Sequence, residues 1–247
     1  DVIGTRPVRP DGADKVTGRA QYGADFSATG LLHAKFLRSP HAHARIKSID
    51  TGKAEGLEGV LAVVTSADLP VVEDEVVDLG EGFAGLSDLQ RNVMASGKAL
   101  YKGHAIAAVA AVSPHLAEEA VRLIEVDYEV LPSVTNVEDA MKPGAPLLHR
   151  EMTTGGLNDE GVSGTNVAAH NQFDLGDTEK GFAAADQVFE REFRTKSVHQ
   201  GYIEPQNGTA WWSPDGNLTV WCSSQGHFGT RDNLAKMLGI PESRVKI

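Results

Sequence analysis

The chain has 247 residues, 41% of them apolar and 23% charged, the composition of a soluble globular protein with room for one large domain or two small ones. Its formal net charge of -11 argues against phosphate-backbone binding and so excludes nucleic acid as a partner, and no apolar run approaches the ~20 residues of a membrane-spanning helix. The one cysteine, Cys222, can neither form an internal disulfide nor hold an iron–sulfur cluster by itself, and it points to a reducing cytoplasm.

In chain order, Leu31 to Leu37 and Ala44 to Ile49 read as short strands, and the apolar run Val60 to Thr65 as a buried one. Val72 to Gly85 is acidic and glycine-bearing, which predicts a surface loop. Ala105 to Val112 is a second buried run, after which Ser113 offers an N-cap and Pro114 a first helical residue. That helix carries Leu116, Ala120, Val121, Leu123 and Ile124 on one broad face. Val126, Tyr128 and Val130 then alternate as a strand closed by Leu131-Pro132, completing a strand–helix–strand unit.

Asn136 caps one helical turn ending at Met141. From Pro143 to about Gln172 the chain is rich in Gly, Thr, Asn and Pro and reads as a long connection between two domains. Asp177 caps a short helix through Phe182 and Ala185, and Val188 to Thr195 alternates as a strand with charge on one face. Asn207 to Trp212 and Leu218 to Cys222 flank the hairpin turn Ser213-Pro214-Asp215-Gly216. The polar turn Ser223-Ser224-Gln225-Gly226 leads into a helix with Phe228, Leu234, Ala235, Met237 and Leu238 towards one side, stopped by Gly239 and Pro241. Arg244 to Ile247 reads as a strand just beginning, so the domain is expected to continue past Ile247.

His41 and His43, two apart, would share one face of a strand and could ligate an ion together. No third ligand stands at a recognised spacing, and Arg38 and Arg45 would repel a cation, so a structural role is preferred and no metal ligand is assigned. No Gly-x-Gly-x-x-Gly follows a predicted strand, and there is no phosphate loop or Gly-x-Ser-x-Gly elbow. Glu204, beside Pro205, reads as either a general base or an exposed, backbone-bonding turn residue. Gln225 sits where a strand ends and a helix is about to start, the usual place for site residues in α/β folds. Its amide can donate and accept, for a ligand or for the loop backbone.

Asp14-Lys-Val-Thr-Gly-Arg-Ala-Gln-Tyr-Gly-Ala-Asp25, Leu37-Arg-Ser-Pro-His-Ala-His-Ala-Arg-Ile46 and Gly59-Val-Leu-Ala-Val-Val-Thr65 follow one another along the chain. Gly103-His-Ala-Ile-Ala-Ala-Val109, Val126-Asp-Tyr-Glu-Val-Leu-Pro132, Gly176-Asp177, His199-Gln200, Glu204-Pro205 and Gln225 come after them. Together, in this order, these segments resemble the molybdenum-binding large subunit of the xanthine dehydrogenase/aldehyde oxidase type of molybdenum hydroxylases. Gly103-His104 is more similar to the xanthine dehydrogenase variants than to those with Gln or Glu at that place.

The resemblance implies an α+β (mixed α/β) chain: an α/β hammerhead domain over 12–135, a linker over 136–164, and the N-terminal part of a first molybdenum-cofactor domain over 165–247. It implies a molybdenum–molybdopterin cofactor met by Gln225, Gly226, His227 and Phe228, with Gln225 matching the family glutamine that hydrogen-bonds an oxygen ligand on molybdenum. No catalytic residue is expected within the chain, because the family's base glutamate and most pterin contacts fall beyond Ile247. The implied activity is hydroxylation of an aldehyde or N-heterocycle with water-derived oxygen in a cytoplasmic, higher-order complex. The rest of the subunit, and [2Fe–2S] clusters and FAD on partner subunits or domains, would complete it. The alternative is a non-catalytic scaffold of such a complex.

Overall fold

Helix α1 (Gly12–Val16) and a 3-10 turn (Gly23–Asp25) lead into strand β1 (His33–Arg38). The computed structural model describes residues 3–73, 75–78, 83–154, 161–173, 175–204 and 206–247. It divides into two units, Asp1–Val130 together with Glu204–Ile247, and Leu131–Ile203. In the first, β1 is followed by β2 (Ala44–Asp50), α2 (Gly52–Glu55), β3 (Val60–Thr65), β4 (Val76–Asp78) and β5 (Phe83–Gly85). Next come α3 (Leu86–Val93), β6 (Lys98–Ala99), β7 (Ala105–Ala111), α4 (Pro114–Leu123) and β8 (Glu125–Val130).

These strands build two antiparallel three-stranded sheets, β1-β7-β3 and β6-β2-β8. The strand–helix–strand unit read from the sequence is present, but α4 joins strands of different sheets. Strand β7 is central in its sheet and buried on both faces, which is why it reads as a continuous apolar run rather than an alternating one. Ala107 and Val109 pack with Ala54, Ala120 and Ile124 of the α2 and α4 side, whereas Ile106 points the other way, against Ala95 and Ala99. Small alanine side chains let the helices approach the sheet closely.

Strand β3, expected to be buried, is an edge strand instead. A bulge between Val60 and Ala62 re-aims the chain, and Leu61 is 58% exposed. The turn before it depends on Gly59, whose φ is +89° and whose carbonyl accepts the Val112 N–H at 3.0 Å. A Cβ there would lie 2.7 Å from Leu116 Cδ2 and 3.0 Å from Val112 Cγ2. Helix α4 starts as its sequence predicts: Ser113 Oγ accepts the Leu116 N–H at 3.2 Å, with Pro114 in the first turn.

The Val72 to Gly85 segment is not simply a loop. Strands β4 and β5 pair in it, Val77 is buried, and α3, which no cap in the sequence announced, follows at once. In sequence, Gly80-Glu81-Gly82-Phe83-Ala84-Gly85 follows β4 with the Gly-x-Gly-x-x-Gly spacing, although Gly80, Glu81 and Gly82 lie outside the described residues. Its last three residues are strand β5 itself, antiparallel to β4, whereas a dinucleotide-binding turn joins a strand to a helix within a parallel unit.

In the second unit, α5 (Val137–Ala140) is capped by Asn136, whose side-chain oxygen accepts the Asp139 N–H at 2.8 Å. The expected long connection is organised by a short antiparallel pair, β9 (Thr153–Thr154) and β10 (Val162–Ser163), and by one amide. Asn166 Oδ1 accepts from the Leu148 N–H at 3.1 Å, while its Nδ2 donates to the Ala140 and Pro146 carbonyls, each at 3.0 Å. Helix α6 (Thr178–Ala184) follows, its Lys180 N–H received by Asp177 as the sequence predicts. Val188 to Thr195, predicted as a strand, forms none: it has no ladder partner among the described residues, and Phe193 is 88% exposed. Alternation marks the faces a strand would have, but a strand forms only where a second one pairs with it.

Back in the first unit, β11 (Gly208–Trp212) and β12 (Leu218–Cys222) form the predicted hairpin, followed by α7 (His227–Leu238) and β13 (Val245–Lys246). The last strand adds in parallel to β12, giving a sheet of order β11-β12-β13 and burying Leu218 and Val245.

Candidate functional site

The turn from β12 to α7 is positioned from both sides. Strand β12 is the middle strand of its sheet, with β11 antiparallel on one flank and β13 parallel on the other. Ser213 closes the far end of the hairpin: its Oγ receives the Asn217 N–H at 3.1 Å, and Ser213 N–H donates to the Asn217 carbonyl at 2.8 Å. Phe26 stacks on Trp221 with ring centres 4.2 Å apart, fixing the segment after the first 3-10 turn on β12.

At the near end, Ser223 Oγ donates to Glu204 Oε1 at 2.7 Å. Ser224 Oγ accepts the Gly226 N–H at 3.1 Å and lies 3.3 Å from Thr230 Oγ1, which donates to the Gly226 carbonyl at 2.9 Å. Between these anchors Gln225 is exposed, and its amide makes no hydrogen bond among the described residues. The alternative that it satisfies the loop backbone is therefore not what the structure has; Ser224 does that instead.

Gly226, His227 and Phe228 follow, all exposed. A Cβ on Gly226 would meet nothing within 4 Å. No side chain caps the first turn of α7 and none there is acidic, so its unpaired N–H groups and the positive end of its dipole face outward. Phe228 is 77% exposed, with the Arg231 guanidinium 5.2 Å from its ring centre and Arg231 in turn paired with Glu242. The apolar residues of α7 thus do not share one buried face: Ala235 is buried and Phe228 is not. The helix stops at Gly239 in a left-handed conformation, as the sequence predicts.

The histidines are placed differently from the strand reading. His41 and His43 lie in the bend between β1 and β2, where His41 meets the Tyr128 ring edge-on at 5.0 Å and His43 is buried. Burial pushes the Tyr128 hydroxyl up from its ordinary pKa, partly offset by its hydrogen bond with Ser39. Among the described residues no three His, Cys, Asp or Glu side chains are grouped to hold a metal ion. A cleft of about 440 Å³ lined by Ile46, Ser48, Thr51, Glu55, Thr65 and Asp68 contains none of the predicted site residues. Ser223, a serine with no evident partner in the sequence, has one in the structure. Its partner Glu204 was noticed, but no local spacing links two residues 19 apart.

Two family models match the chain in succession. Residues 17–132 match the aldehyde oxidase and xanthine dehydrogenase a/b hammerhead domain, and residues 160–247 match the molybdopterin cofactor-binding domain. The chain belongs to the xanthine dehydrogenase/aldehyde oxidase family of molybdenum hydroxylases. It is 37% identical over 240 residues to a probable xanthine dehydrogenase subunit of Bacillus subtilis, covering 97% of this chain and 29% of that protein. It is 31% identical over 246 residues to the nicotinate dehydrogenase large molybdopterin subunit of Eubacterium barkeri, covering 100% of this chain and 53% of that one. The structure of reconstituted CO dehydrogenase from Oligotropha carboxidovorans superposes with a TM-score of 0.78 at 32% identity, covering 98% of this chain and 30% of that chain. The molybdenum-hydroxylase chain thus spans about three tenths to one half of the length of these relatives. No helix among its described residues is long and apolar enough to cross a membrane.

Proposed function

We propose that this chain supplies the α/β hammerhead domain (12–135), a linker (136–164) and the first part of a molybdenum-cofactor domain (165–247) to the catalytic subunit of a molybdenum hydroxylase. The reaction is hydroxylation of an aldehyde or N-heterocycle with water-derived oxygen. The observation that carries this reading is the exposed, uncommitted amide of Gln225 between β12 and α7, inside the stretch matched by the cofactor-binding domain.

The residues present fit such a group. An anionic pterin phosphate or an oxygen-bearing metal centre needs donors and open space. The β12–α7 turn offers the Gln225 amide, an unobstructed Gly226 and an uncapped helix start without acidic side chains. When bound, the molybdenum–pterin group supplies the two-electron oxidation, which no side chain of the protein can perform. Gln225 would donate a hydrogen bond to the group, the start of α7 at Gly226 and His227 would favour its negative charge, and the exposed Phe228 would offer it an apolar contact. The redox chemistry is thereby left to the cofactor, and the protein contributes placement.

The names of the relatives, which include a xanthine dehydrogenase subunit and a large molybdopterin subunit, support a heteromeric assembly. Its other members are the remainder of the molybdenum subunit and the carriers of [2Fe–2S] clusters and FAD, in a cytoplasmic, higher-order oligomer acting on a small molecule. Metal and pterin analysis of the intact purified complex, with its subunit masses, tests the reading. Molybdenum and pterin in near-equal amounts with this chain are expected. A complex lacking both overturns the proposal and leaves the non-catalytic scaffold.

A further inference from the structure

Ser223 and Glu204 are 19 residues apart, yet the Ser223 hydroxyl donates to Glu204 Oε1 at 2.7 Å. Glu204 precedes β11 and Ser223 follows β12, so the bond ties the chain entering the hairpin to the chain leaving it, at the end that carries Gln225. One residue on, Ser224 holds the helix side of the turn through Gly226 and Thr230. Gln225 directly follows two hydroxyls that are both engaged, in opposite directions along the chain.

From this geometry we infer that Glu204 is a positioning residue, whose carboxylate anchors Ser223 and so holds Gln225 where it meets the cofactor. The inference rests on the cofactor role proposed for Gln225. A hydrogen bond to a carboxylate is stronger than one between neutral groups, and this one restrains a turn that is otherwise solvent-exposed. The competing role is general base. A base needs a carboxylate that takes up a proton, whereas an anchor needs only an oxygen that accepts. Glutamine at this position keeps the accepting oxygen and abolishes the basicity. Alanine removes both, and Ser223→Ala removes the donor alone.

The complete enzyme is compared with its Glu204→Gln, Glu204→Ala and Ser223→Ala variants and with the Glu204→Ala/Ser223→Ala double variant. Backbone hydrogen exchange across residues 223–227 is measured beside kcat, KM and the pH profile. Glu204→Ala and Ser223→Ala are expected to speed exchange at Gly226, whose N–H is received by Ser224 Oγ, by about tenfold. They should lower kcat together, with exchange in β7 and α4 unchanged. The double variant should be no worse than the poorer single one, and Glu204→Gln should restore exchange and pH profile to within about twofold of wild type.

Unchanged exchange in both alanine variants overturns the proposal. Faster exchange with wild-type kcat also overturns it, as does a Glu204→Gln enzyme that loses turnover and one limb of its pH profile. Gln225→Ala, run alongside, separates the two failures: wild-type turnover in that variant overturns the cofactor reading itself. A loss there, with exchange unmoved in the alanine variants, overturns only the anchor.

Discussion

Nε2 of His104 lies 2.9 Å from the carbonyl oxygen of Arg91, while its Nδ1 receives the Leu100 N–H at 3.2 Å. The pair of bonds sets the tautomer: the proton is on Nε2, which donates, and Nδ1 accepts. His104 is fully buried and stacks on Tyr101 at 4.5 Å. Its backbone carbonyl receives the Ser39 N–H and Gly103 N–H donates to the Ser39 carbonyl, each at 2.8 Å. One histidine thus joins the end of α3, the β6–β7 connection and the bend after β1.

Burial holds the His104 pKa below the ordinary histidine value, with the Arg91 carbonyl opposing the shift. The neutral form is the one the fold keeps, so its contribution to stability is complete above the unfolded pKa of about 6.5 and is lost as pH falls from there through the lowered folded value. The difference in unfolding free energy between the wild type and His104→Gln is therefore expected to shrink as pH drops below about 6.5. His104→Ala should cost about 3 kcal/mol at pH 8, from the cavity and the two orphaned backbone groups. Denaturant titrations at pH 5 and pH 8 check both, and a pH-independent difference contradicts the assignment.

Gly59 is held at φ +89° with two side chains crowding the place of a Cβ. Gly59→Ala is expected to destabilise by about 2 kcal/mol, because an L-residue is strained at that φ and Leu116 must shift as well. The unfolding midpoint measures it, and a midpoint at or above wild type would be inconsistent with this turn.

Asn166 uses its side-chain oxygen and both amide hydrogens, on three backbone groups of the second unit. Asn166→Ala should cost about 2 kcal/mol there by leaving the Leu148 N–H and two carbonyls without their partner. Asn166→Asp should lose the two donated bonds but keep the accepted one. Hydrogen exchange at Leu148 is the readout: faster in the alanine variant, closer to wild type in the aspartate variant.

Gln225 is exposed and its side chain bonds to none of the described residues, so Gln225→Ala should leave the unfolding midpoint unchanged. In the complete enzyme the same substitution is expected to lower turnover by on the order of 10- to 100-fold, the usual loss when a hydrogen-bond partner of a metal ligand is removed. Turnover and thermal unfolding of the same preparation decide it. A stability loss with full turnover would place Gln225 in the scaffold rather than the site.

The caps at Ser113, Asn136 and Asp177, the Ser213 turn and the Gly239 stop were legible in the sequence, and so was the strand-to-helix turn bearing Gln225. Each depends on hydrogen bonds or dihedral preferences among residues within about four positions of one another. The order of motifs likewise identified the family, since each match is read along the chain. Only the tertiary structure decided that α4 joins two separate sheets, that Val60–Thr65 is an edge, that β4 pairs with β5 while Val188 to Thr195 finds no partner among the described residues, and that Ser223 rests on Glu204. Those facts belong to pairings between distant segments. An alternating or apolar run specifies which faces a strand has, but which neighbour it meets is settled by the packing of the whole core.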